Sequence, residues 1–173
     1  MNKKVLSLSI AAIVLASANA NAFYIGASVG SSKAKVDGTS LDKGTAYSIA
    51  TGMSIPLPLI PIRGEVELFN YNGSIDALDI DGKIYGASAN AYVGLPLLPI
   101  VKPYVGMGLA YTQSKFDSDK SDWKVAPQYM LGLDLSLPLI PVAGGVEYRY
   151  MDTKFDDVKT KIHTVMVKGR FNF

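Results

Sequence analysis

The sequence has no cysteine, one histidine and one tryptophan among 173 residues. Without cysteine there is no disulfide framework and no thiolate chemistry. Long apolar runs are missing too. Beyond the N-terminal segment no stretch reaches about 18 consecutive apolar residues, so no helix is expected to cross a membrane. An excess of one charge is also lacking. Of 17 basic residues two, Lys3 and Lys4, lie at the extreme N-terminus, and the rest of the chain holds 15 basic against 15 acidic residues. Such a balance offers nothing to a nucleic-acid backbone, and no cofactor motif is present. What the chain does have is apolar surface: 49% of its residues are hydrophobic. For an exported chain this surplus needs a place to go.

Export is predicted from the first 22 residues. Met1-Asn2-Lys3-Lys4 is a short basic head, Val5 to Leu15 is mostly apolar, and Ala18-Asn19-Ala20-Asn21-Ala22 offers two small-x-small cleavage sites. Cleavage is expected after Ala22, or after Ala20, which makes residues 1–22 a signal peptide and 23–173 one domain. The apolar run is too short for an anchor, since a spanning helix needs about 20 residues. No cysteine follows it, so no lipoprotein anchor is expected.

Three apolar, proline-rich clusters punctuate the remainder: Ile55 to Pro61, Leu95 to Ile100 and Leu137 to Pro141. Proline has no ladder donor, so each cluster ends a strand. Between them fall polar stretches rich in Asp, Lys, Ser and Gly: Ser31 to Gly44, Asn72 to Gly82, Ser114 to Asp122 and Asp152 to Lys161. Short greasy connections thus alternate with longer charged loops. Eight strands fit between them: Phe23–Gly30, Thr45–Ile55, Ile62–Tyr71, Lys83–Leu95, Val101–Gln113, Trp123–Leu137, Val142–Met151 and Ile162–Phe173.

Alternate positions in these strands separate two faces. Ile62, Gly64, Val66 and Leu68 oppose Arg63, Glu65, Glu67, Phe69 and Tyr71. Tyr129, Leu131, Leu133 and Leu135 oppose Gln128, Met130, Gly132 and Asp134. Val146, Tyr148 and Tyr150 oppose Glu147, Arg149 and Met151. One face is aliphatic with aromatic ends, and the other gathers Gly, Ser, Tyr and charge. A soluble eight-stranded carrier would put the charges outside and fill its cup with Leu and Val. A membrane barrel inverts this, with lipid outside, polar groups inside, aromatic girdles at both interfaces and short turns on one rim. Closure also removes edges that lipid cannot hydrogen-bond. The fold class expected is all-β: an eight-stranded antiparallel up-and-down transmembrane β-barrel.

Residues Phe23 to Gly30, Phe-Tyr-Ile-Gly-Ala-Ser-Val-Gly, are similar to the first strand of opacity-type surface antigens. The alternation Val165, Val167, Gly169, Phe171, Phe173 resembles the C-terminal signal read by the barrel-assembly machinery. With the signal peptide, the turns and the loops, the mature chain resembles the small eight-stranded outer-membrane barrels, among them opacity antigens, the membrane domain of outer-membrane protein A and the attachment-and-invasion barrels. The resemblance implies an outer-membrane location in a diderm bacterium and contact with lipid and lipopolysaccharide. It also implies loops that present a surface or host ligand. No separate peptidoglycan-binding domain is expected.

The inward parity collects Arg63, Glu65, Glu67, Lys102, Asp134, Glu147, Arg149, Lys168 and Arg170. An eight-stranded interior is just wide enough for side chains, and desolvated charges must pair. A salt-bridged plug is therefore expected, with a narrow channel for ions or apolar solutes as the alternative. His163 shares the parity of Val165 and so faces outward, while its neighbour Thr164 points inward. With no serine beside the only imidazole, acyl-transfer chemistry is not expected. The acidic loops Asp117 to Asp122 and Asp79 to Gly82 lack the terminal Glu of a calcium loop. Trp123, Tyr47, Tyr85, Tyr111, Tyr129, Tyr148 and Tyr150 are candidate interfacial anchors, and Leu41, Phe116 and Phe155 are candidate loop contacts.

Overall fold

The computed structural model describes residues 23–36, 39–55, 60–75, 80–95, 100–115, 123–136, 140–155 and 158–173. The signal segment, the proline-rich turns, Phe116 and the two acidic loops (Gly82 apart from its backbone) lie largely outside these residues, as do the side chains of Leu41 and Phe155. Eight strands form a single closed sheet. They are β1 (Phe23–Val36), β2 (Thr39–Ile55), β3 (Ile62–Ile75), β4 (Ile80–Gly94), β5 (Val101–Lys115), β6 (Trp123–Ser136), β7 (Val142–Phe155) and β8 (Val158–Asn172). Each strand pairs antiparallel with the next, and β1 pairs with β8 from Tyr24↔Asn172 to Val36↔Thr160. The terminal Phe173 N–H donates to the Phe23 carbonyl at 2.9 Å, so the two ends of the barrel domain are stitched together.

Exposure shows which way the two faces point. Val125, Leu109, Val167 and Ile49 are each 60–63% exposed, whereas Glu67 and Arg149 are 1% exposed. Along β6 buried and exposed residues alternate strictly from Pro127 to Leu135. The aliphatic face is outside and the charged face inside, which is stable against lipid and not against water. Aromatic clusters mark both edges of the outer surface. Phe173 packs on Phe23 and Phe171 at 6.0 and 5.1 Å, and at the other end Trp123 stacks on Tyr111 at 4.5 Å while Tyr150 lies 5.2 Å from His163. From Phe173 to His163 is ten residues of β8, or about 34 Å of strand and roughly 26 Å of height at a tilt near 40°. That height matches the apolar band of an outer-membrane barrel.

Two features depart from expectation. The strands run further into the polar stretches than their composition suggests. β1 stays paired with β2 out to Val36↔Thr39, and β7 with β8 out to Phe155↔Val158, so most of Ser31–Gly44 and Asp152–Lys161 is strand. Ladder pairing is made by backbone groups and does not need apolar side chains. The Ser, Lys and Thr content marks where the sheet leaves lipid, not where it ends. The second departure is a short seam. The β6–β7 ladder runs from Ser136↔Ala143 to Gln128↔Met151 and stops, although β6 begins at Trp123 and β7 continues to Phe155. Pro127 stands at the stop. It has no N–H to donate to β7, yet remains paired with Leu109 on β5.

Candidate functional site

The lumen is the site, and β3 lies at its centre. Arg63, Glu65 and Glu67 project from β3 at successive inward positions, and each is met from across the barrel. Arg149 on β7, the strand diametrically opposite β3, places Nη1 2.6 Å from Glu67 Oε2 and Nη2 2.7 Å from Glu147 Oε1. Lys168 on β8 reaches Glu147 Oε2 at 3.0 Å and Glu65 Oε1 at 3.4 Å. Nearer the periplasmic rim Asp134 on β6 accepts from both Arg63 at 2.6 Å and Arg170 at 2.8 Å. Four cations and four carboxylates are thus joined by pairs that cross the interior as chords.

Tyrosines and amides satisfy much of what the ion pairs leave over. Glu65 accepts from Tyr24 at 2.7 Å and Tyr92 at 2.8 Å, and Glu147 from Tyr104 at 2.9 Å. Glu67 accepts from Asn90 at 3.2 Å and Ser88 at 3.3 Å, and Gln128 donates to Asn90 at 2.5 Å. Arg63 also lies 4.3 Å from the ring centre of Tyr92 and 4.9 Å from that of Tyr104. A guanidinium held between aromatic faces gains cation–π attraction once water is excluded. Glycine makes room for these rings. A Cβ at Gly106 would lie 2.5 Å from the Tyr92 ring, and one at Gly52 2.5 Å from the Tyr24 hydroxyl. Each glycine is the direct cross-strand partner of the ring that covers it, and Tyr104 covers its own partner Gly132 in the same way.

Lys102 stays apart from this set. It lies on the inward face of β5 opposite Asp134 and is only partly buried. Among the described residues it has no ion pair, because both cations that hold Asp134 come from elsewhere. It sits one residue from the start of β5, at the rim where water can solvate it. The parity signal gave a face and not a depth. Sequence reasoning also missed the opposite half of the lumen. There Phe69, Tyr71, Ile84, Met151, Ile162 and Met166 form a buried apolar cluster, so the interior has a charged storey and an apolar one. A cavity of about 20 Å³ between Tyr24, Ser48, Glu65, Asp134 and Lys168 has room for a single water.

His163 faces outward and its Nδ1 is 2.7 Å from the Tyr148 hydroxyl. Among the described residues no three His, Asp or Glu side chains converge as a metal-binding set. Val165, Val167, Phe171 and Phe173 are all exposed on the outer face of the closing strand region, with Gly169 in the same parity on β8.

A closed sheet that is apolar outside and charged inside, with aromatic girdles at both edges, defines the class: an outer-membrane β-barrel. The chain belongs to the outer membrane protein beta-barrel domain family, whose profile matches residues 5–171. No curated protein matches it in sequence. Among solved structures it is similar to Neisserial surface protein A, with a TM-score of 0.74 and 23% identity over 87% of this chain and 97% of that one. It is also similar to the attachment invasion locus protein Ail of Yersinia pestis (TM-score 0.59, 23% identity, 87% and 99% covered) and to OprG of Pseudomonas aeruginosa (0.55, 19%, 89% and 96%). At these identities the likeness speaks for the fold.

Proposed function

We propose that this protein is a non-enzymatic surface barrel, structural or adhesion-type, whose lumen is plugged by its own ion-pair network. The observation that carries the reading is the chord from Arg149 on β7 to Glu67 on β3, two side chains 1% and 0% exposed that meet across the full width of the interior. The apolar storey above it adds a second layer without charge or water. In this reading residues 1–22 are removed on export, by cleavage after Ala22 or Ala20. Val165, Val167, Gly169, Phe171 and Phe173 then present the strand to the barrel-assembly machinery, and the loop rim meets a surface ligand. Purified barrel in planar bilayers should show no sustained single-channel openings; a stable conducting state would overturn the plug. Lipid A from cells with and without the gene should have the same mass profile, and a changed acyl count would refute the non-enzymatic assignment.

One observation favours a second reading, a route for small apolar solutes. The β6–β7 seam opens beside the apolar storey, with Ala126 and Met151 of that cluster flanking it. Pro127→Val restores the missing donor. If the seam carries solutes, this change should slow uptake of a small apolar dye into barrel-containing vesicles, and equal uptake by both proteins would dismiss the route.

A further inference from the structure

The lipid-facing surface carries a group of lysines that neither the plug nor the seam uses. Lys33 and Lys35 on β1, Lys43 on β2 and Lys161 on β8 all have the outward parity and are exposed. Strand register makes them neighbours, with Lys33 opposite both Lys43 and His163, and Lys35 opposite Lys161. Three adjacent strands about 4.8 Å apart therefore hold four ammonium groups in one patch. Among the described residues none of the four forms an ion pair. Asp152, opposite Lys161 in register, is the only carboxylate among the described side chains of the whole outward face, and it accepts from Tyr150 at 3.3 Å.

The height of the patch says what can reach it. Lys33 is level with His163, which is packed with Tyr148 and Tyr150 in the aromatic girdle, so the lysines lie where the hydrocarbon gives way to headgroups. Beneath them toward the membrane centre are Val29, Val165, Tyr47 and Ile49, all exposed. We infer that this surface of β8, β1 and β2 is a binding site for a phosphorylated glycolipid of the outer leaflet, of the lipid A class. The phosphates sit on Lys33, Lys35, Lys43 and Lys161, and the acyl chains lie along the apolar strip below. Lysine suits the task, because its flexible stem runs along apolar surface while its compact charge meets phosphate. An excess of cations with a single carboxylate beside them is complementary to a diphosphorylated headgroup and to no neutral lipid.

The test uses the folded full-length barrel in detergent micelles with diphosphoryl lipid A as probe, and bound lipid counted by native mass spectrometry. Each basic residue near an anionic headgroup is worth roughly fivefold in affinity. The variant with Lys33, Lys35, Lys43 and Lys161 all changed to Gln should therefore bind at least about a hundredfold more weakly. The four-Arg variant should retain binding, as should Lys83→Gln, which removes an exposed lysine on β4. Gel mobility of unboiled samples confirms that each variant is folded. Binding unchanged in the four-Gln variant would overturn the site. So would equal competition by phosphatidylglycerol at matched charge, which signals surface charge alone. Displacement by millimolar inorganic phosphate would assign the lysines to a free anion and also refute the lipid.

Discussion

Arg149→Met is the sharpest test of the interior. Arg149 is 1% exposed and its guanidinium holds Glu67 at 2.6 Å, Glu147 at 2.7 Å and the Tyr71 hydroxyl at 3.2 Å. Methionine fills much of the same volume without charge or donors. The two carboxylates do not lose equally. Glu147 keeps Lys168 at 3.0 Å and Tyr104 at 2.9 Å, whereas Glu67 keeps only the neutral donors Ser88 and Asn90, and its other oxygen is already without a partner. The cost is therefore concentrated on one uncompensated buried carboxylate, for which about 3–5 kcal/mol is expected. Adding Glu67→Gln removes that charge, so the double variant should be more stable than Arg149→Met alone, with a coupling of about 2–3 kcal/mol. Urea unfolding in phospholipid vesicles measures this. Trp123, the only tryptophan, is 45% exposed on the outer face and its fluorescence reports loss of lipid contact. The unboiled-gel shift supplies an independent readout. A loss below about 1 kcal/mol for Arg149→Met, or strict additivity in the double variant, would refute a paired and desolvated network.

Two further outcomes are expected. Gly132→Val places a Cβ 2.4 Å from the Tyr104 ring and 2.7 Å from the Val146 carbonyl, and should lower refolding yield and stability by about 1–3 kcal/mol. Gly64→Ala, where nothing lies within 4 Å of the added carbon, should be neutral, and equal losses in both would show that glycine content rather than ring packing matters. Deleting Phe173 should reduce barrel assembly in cells far more than spontaneous refolding into vesicles. If both fall together, the residue acts through its contacts with Phe23 and Phe171 and not as an assembly signal.

Much of this fold was legible because period-two alternation is strict and the two faces differ sharply in chemistry. Ile62 to Tyr71 alone separates an aliphatic face from a charged one, and membership of the barrel follows once every strand behaves alike. Three things stayed hidden for physical reasons. Strand ends were invisible because Lys33 and Thr39 can pair their backbones in water as well as Val can in lipid. Depth was invisible because parity treats Lys102 at the rim and Glu67 at the centre as equals, and it places Phe69 and Met151 with the charges although they occupy another storey. The chords were invisible because knowing that Arg149 and Glu67 both point inward does not say that they meet. Their encounter depends on register across strands separated by three turns. Pro127 was in plain view, but only the missing β7 partners show that it shortens a ladder.

The distribution of the paired lumen charges along the chain has a consequence for biogenesis. Of the eight, β3 contributes Arg63, Glu65 and Glu67, and all the rest come from β6, β7 and β8. The first half of the barrel thus carries one surplus negative charge and the second half one surplus positive charge. Neither half can neutralise itself, and an unfinished sheet in lipid would hold bare ions on its concave side. Only the last joining of β1 to β8 sets the two halves face to face, so electroneutrality of the interior comes as a reward for completion. The plug then doubles as a proofreader, which makes a half-inserted barrel unstable and a finished one hard to reopen.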